Sequence, residues 1–73
     1  MNCKIVGVRT DGSVAFESEI YPSRGWAFAS ASGAAVGLAH TGNPEKVHHL
    51  ELRDPATNEE LPNYKQHNYL VVA

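Results

Sequence analysis

Residues 3–21 read CKIVGVRTDGSVAFESEIY. Two stretches rich in apolar side chains flank Asp11-Gly12, and an Asp-Gly pair in that setting is the strongest short-range signal for a β-hairpin. The second arm, VAFESEIY (14–21), alternates. Val14, Phe16 and Ile20 fall on one face with Ser18 between them, while Ala15, Glu17, Glu19 and Tyr21 fall on the other. A period of two is that of a half-buried strand. The sequence therefore predicts a hairpin over 3–21, with Val14, Phe16 and Ile20 facing the core.

Downstream, Pro22 and Gly25 punctuate the chain. Trp26, Phe28 and Ser30 alternate with Ala27, Ala29 and Ala31, which predicts extended chain to about Ser30. Ser30 or Ser32 then caps a helix over ASGAAVGLAH, 31–40; a helix starting directly after Ser23 is the alternative. Gly33 and Gly37 each cost about 1 kcal/mol against Ala inside a helix. Their spacing puts them on one face, where they would admit a close approach to the sheet. The helix stops at HTGNP, since Gly42 or Asn43 can turn left-handed and Pro44 cannot continue it.

From Lys46 the period of two returns. Val47, His49, Glu51 and Arg53 share one face; His48, Leu50 and Leu52 share the other. DPAT (54–57) suits a type I turn, Glu59 to Leu61 could pair back, and HNYLVVA (67–73) is a last strand candidate. The expected fold is a single α+β domain over 1–73, with a small antiparallel β-sheet of about four or five strands. One helix packs on one face, in the order ββ(β)αββ. Val14, Phe16, Ile20, Leu50, Leu52 and the Ala/Val/Leu face of the helix would form the core.

Composition narrows the function classes. The chain has 73 residues, a size that leaves stability marginal without a disulfide, a metal or self-association. Cys3 is the single cysteine, so an internal disulfide is excluded and a cytoplasmic setting is expected. Six basic and eight acidic residues give a net charge of −2, no electrostatic footprint for generic nucleic-acid binding. The stretch MNCKIVGVRTDG meets Arg9 and Asp11 before a long apolar run develops, so no secretory signal is expected. WAFASASGAAVGLA (26–39) is too short and too polar to cross a bilayer. A homo-oligomer stays open.

Candidate chemistry concentrates at VHHLELRD (47–54). Neighbouring strand residues point to opposite faces, so His48 and His49 cannot both ligate one ion from a regular strand. His49 and Glu51 share a face, and a distant His67 could join them as a zinc site. The sequence has no HExxH and no second cysteine to support it. The expectation is that His49 and Glu51 form a solvated face, with His48 hydrogen-bonded at the core margin. Cys3, at the start of a strand, reads as a buried inert thiol rather than a nucleophile. Ser30 and Ser32 lie in no G-x-S-x-G frame, and Gly33 and Gly37 match no phosphate-binding loop. No metal or cofactor is expected, and no catalytic residue.

For partner binding, Trp, Tyr and Arg dominate interface energetics, which singles out Arg24 and Trp26 in the connection after the hairpin. The expected function is that of a non-enzymatic protein-binding domain. A nucleic-acid-binding module using Lys4, Arg9, Arg24, Lys46, Arg53 and Lys65 is the alternative, and a metal-dependent enzyme using His49 and Glu51 the second.

Within residues 10–40, a Gly-containing turn leads into Ser18, Glu19, Ile20, Tyr21, Pro22, Ser23 and Arg24. This resembles a family of uncharacterised bacterial proteins built on strand-strand-helix repeats, where the strand ends S-E-x-Y-x-S-K/R. Here WAFAS intervenes before the helix and no second repeat is present. In overall type the chain is similar to small accessory proteins of phages and mobile elements, anti-CRISPR proteins among them. That resemblance implies a compact domain that occludes a surface of a host complex. The element order is also similar to the antitoxin of the Hic toxin–antitoxin pair, without its DNA-binding domain.

Overall fold

The computed structural model describes residues 1–61 and Tyr69–Leu70. Strand β1 (Cys3–Val8) pairs antiparallel with β2 (Val14–Tyr21) on one side and with β3 (His49–Arg53) on the other. Helix α1 (Arg24–His40) crosses one face of this antiparallel sheet. A two-residue segment, β4 (Tyr69–Leu70), pairs with His49 and Leu50. The rest of the expected C-terminal strand, 67–73, lies outside the described residues.

The predicted hairpin forms. Its loop has three residues rather than two: the Gly12 N–H bonds to the Arg9 carbonyl and the Arg9 N–H to the Ser13 carbonyl. Gly12 takes φ +87°, and the Asp11 carboxylate accepts from the Ser13 N–H. This is a type I turn and then a left-handed glycine, the usual three-residue hairpin loop.

The facing of β2 differs from the alternation. Two register shifts occur against β1, one between Lys4 and Val6 and one between Gly7 and Val8. Each inserts an extra residue in β2 and flips the face of the residues beyond it. Phe16 keeps the helix side and packs on the core, but Val14 is exposed and Ile20 is 58% exposed. Tyr21 and Ala15, expected outside, pack against the core instead. Ser18 holds the first bulge: its hydroxyl accepts from the Ile5 N–H at 2.8 Å and donates to the Glu19 carbonyl at 2.7 Å. A side chain thus supplies the acceptor that the ladder lost.

The helix starts seven residues before the expected Ala31, and the optional third strand does not form. Ser23 is the N-cap, with extended backbone and its Oγ accepting from the Trp26 N–H. Pro22 lies just outside the cap, where its ring costs no helical hydrogen bond. Residues 25–30 are therefore helical, because Ala27, Ala31 and Ala35 recur every four positions and all are buried on the sheet. The glycines do not line that contact. Gly33 and Gly37 are exposed, and a Cβ at either would meet nothing within 4 Å. Val36 is exposed as well. The stop is as expected, with both Gly42 (φ 82°) and Asn43 (φ 51°) left-handed. Asn43 is buried and its amide grips Val47 at both ends, accepting from its N–H and donating to its carbonyl.

The core sits between α1 and the sheet: Cys3, Ile5, Leu50, Leu52, Val47 and Leu61 against the three alanines. Leu61 arrives because the chain after β3 folds back, with the Leu61 N–H on the Leu52 carbonyl and a bridge between Arg53 and Glu60. Gly7 faces the same side, directly across from Phe16, whose ring lies over it. No helix among the described residues is long and apolar enough to cross a membrane.

Candidate functional site

The sheet face turned away from α1 has no second layer of elements among the described residues, yet Val6 and Val8 on it are buried. Register explains how. Three cross-strand rows lie on this face: Ile20–Lys4–Arg53, Glu17–Val6–Glu51 and Val14–Val8–His49. Val6 sits at the centre of that grid, between Glu17 and Glu51 on the neighbouring strands. Long charged side chains can cover apolar surface while their heads stay wet. Lys4 pairs with Glu17, and that contact holds the Glu17 carboxyl below its usual range, by hydrogen bond first and by charge second.

The other half of the grid is a continuous string. His49 Nε2 lies 2.8 Å from Glu51 Oε2, and Arg53 donates from Nε and Nη2 to Glu51 Oε1 at 2.9 and 2.8 Å. Glu51 and Arg53 are about as enclosed as His49, at 15–20% side-chain exposure. Burial alone would push the Glu51 carboxyl up. Hydrogen bonds from His49 and Arg53, with the Arg53 charge, outweigh it and hold the group below its ordinary value. Glu51 is thus a carboxylate, and His49 is oriented by it. The expected shared face of His49 and Glu51 is present, but it is enclosed rather than solvated.

His48 departs from its expected place. It precedes β3, so the strict alternation of a strand does not govern it, and its ring is exposed instead of lying at the core margin. Its N–H bonds to the Val8 carbonyl, and its Nδ1 comes within 2.9 Å of His49 Nδ1. The two imidazoles therefore meet, although a regular strand through both would have pointed them to opposite faces. Among the described residues no three His, Cys, Asp or Glu side chains gather as ligands; His67 lies outside those residues. Cys3 is fully buried in the core, as expected, and burial raises its thiol above the ordinary value.

The partner-binding candidates lie at the opposite end of β1. Arg24 opens α1 rather than lying in extended chain, and its guanidinium reaches the Met1 sulfur at 3.1–3.3 Å. Trp26, two residues further along the first turn, is 60% exposed. Met1, in contact with Arg24, is 62% exposed; Ile20, 58% exposed, lies across from Lys4 on the outer sheet face. Sequence reading missed both: Ile20 through the bulge, Met1 because nothing local announces it.

Neither a family model, nor a characterised protein, nor a solved structure matches this chain.

Proposed function

We propose that the chain is a non-enzymatic protein-binding domain whose contact surface is centred on the start of α1. One observation carries the reading. Of the five large apolar side chains exposed among the described residues, Met1 touches the Arg24 guanidinium and Trp26 lies in the same first turn of α1. Trp, Met and Arg are the residue types that interface cores favour, and rigid aromatics beside a guanidinium make the strongest anchors. The sheet and helix supply the rigid support. The mode of action is steric: this end covers a surface of a larger complex inside the cell. The resemblance in type to anti-CRISPR proteins makes a host defence complex the partner class to test first. The four-strand order β2-β1-β3-β4, resting on the Tyr69–Leu70 pairing, belongs to the same reading.

The basic residues support a protein partner over nucleic acid. Lys4 pairs with Glu17, Arg9 with Glu45 and Arg53 with Glu51, so three of the cations counted for phosphate binding are already matched by carboxylates; Lys65 lies outside the described residues.

Capture from a host lysate by the immobilised domain, with mass spectrometry of what is retained, tests the reading. Trp26→Ala and Arg24→Ala are expected to lose the retained complex while their far-UV dichroism and melting stay close to the parent. Glu19→Lys, on β2, is expected to keep it. Retention by both α1 variants with loss in Glu17→Lys or Glu19→Lys would move the interface to the outer sheet face.

A further inference from the structure

The pair of imidazoles beside β3 plays no part in that surface: His49 pairs with Val8, whereas Met1 and Arg24 lie beyond Cys3. Its geometry has its own chemistry. An ionised carboxylate only accepts hydrogen bonds, so the His49 nitrogen facing Glu51, Nε2, carries the proton. In the neutral ring that leaves Nδ1 with a lone pair, which accepts from His48 Nδ1–H at 2.9 Å; an ion bound between the two nitrogens would take the place of that proton. Glu51 is itself held by two donors of Arg53. A carboxylate fixing the far nitrogen of an imidazole is the outer-shell arrangement that metal-binding histidines use.

We propose that His48 and His49 form a two-imidazole chelate, through their Nδ1 atoms, for a divalent transition ion of tetragonal preference, Cu(II) before others. A separation kept near the present one favours an ion that takes its ligands at right angles. With metal–nitrogen bonds of about 2.0–2.1 Å, two nitrogens 2.9 Å apart subtend roughly 90° at the metal, whereas a tetrahedral ion needs about 3.3 Å between them. A right angle is that of neighbouring ligands in square-planar or tetragonal Cu(II) and Ni(II) sites, and Cu(II) heads the affinity order for nitrogen ligands. The rings stand perpendicular, at 89°. His49 is fixed by Glu51, and the exposed His48 ring has room to turn its lone pair onto the ion. Water fills the remaining positions. The site is peripheral, so it adds a ligand without being needed for the fold.

The test is titration of the metal-free full chain with Cu(II), and then electron paramagnetic resonance. One tight equivalent is expected, with a hyperfine pattern from two imidazole nitrogens, and Zn(II) is expected to bind more weakly. His48→Ala and His49→Ala should each weaken Cu(II) binding at least tenfold. Glu51→Gln, which keeps both ligands and loses the orienting carboxylate, should weaken it about ten- to a hundredfold. His40→Ala should change nothing. His48→Ala is the deciding variant, because its ring is exposed and its loss leaves the core intact. Cu(II) affinity within twofold of the parent in that variant would overturn the site. So would a spectrum with a single imidazole nitrogen, or binding that His40→Ala abolishes. None of these outcomes bears on capture by Arg24 and Trp26, so the two proposals fail separately.

Discussion

Gly7 and Phe16 show how one residue type sets its neighbour's place. A Cβ at residue 7 would run into the Phe16 ring. A glycine inside a strand marks such a close approach, and that signal was present in CKIVGVR without being used. Gly7→Ala should destabilise the domain by about 1–3 kcal/mol, the usual cost of overpacking. Phe16→Ala should cost about 3 kcal/mol or more, enough to unfold a domain this small. Combined, the two should cost clearly less than their sum, since the alanine methyl fills space the ring has left. Urea unfolding of the three variants measures this, and strict additivity would exclude the ring-over-glycine packing. Glu51 makes a second residue-scale case. Its folded-state pKa is depressed, so its contribution is full above the unfolded carboxyl value and is lost as pH falls through the folded one. Glu51→Gln should therefore be less stable than the parent at pH 7, by about 1–3 kcal/mol for the charged hydrogen bonds removed. Parent and variant melts should converge in acid, below about pH 4. A gap that persists there would show that the glutamate acts by packing and not by charge.

Among the elements, α1 carries the largest difference between expectation and structure. WAFAS alternates large and small side chains as a strand does, yet the helix uses the small ones: Ala27, Ala31 and Ala35 face the sheet. Alanine gives little hydrophobic contrast, so the helical period was nearly silent, and Ser23 after Pro22 was the better guide to the start. The glycines share this logic. Because Gly33 and Gly37 face open space, nothing offsets their cost in a helix interior. Gly33→Ala and Gly37→Ala should each raise stability by about 0.5–1 kcal/mol, and the two together should add. Thermal melts decide the matter; a loss of stability in either would mean that the face is covered in solution. For β2, alternation correctly marked a strand and correctly placed Phe16. It failed at Val14 and Ile20 because bulges depend on how β2 meets β1, with Ser18 reaching the Ile5 N–H, and a single strand's pattern contains no trace of its partner. In β3 the facing was legible, with Leu50 and Leu52 inside and His49, Glu51 and Arg53 outside, but Val47, expected beside His49, lies in the core because it precedes the strand.

At the scale of the whole molecule, one apolar core and one ionic grid divide the two faces of the sheet. The core closes without a disulfide or a three-ligand metal group among the described residues. Prolonged chelation with EDTA should therefore leave the melting temperature unchanged, while added Cu(II) should raise it only by mass action. A fall on chelation, reversed by zinc, would make a metal structural. The order of strands and helix had marked the class of fold, and the histidines had marked where the ionic string of β3 lies. Their contact was not legible, because it depends on where β3 begins. The bulges of β2 also reach beyond the facing of two side chains. β2 is an outer strand of the sheet, and a straight outer strand offers its unpaired amides to any passing chain. Two bulges within eight residues break that row and twist it. The same irregularity that exposes Val14 and Ile20 thus makes their strand a poor seed for fibrils, so that a sticky surface can be carried without polymerising.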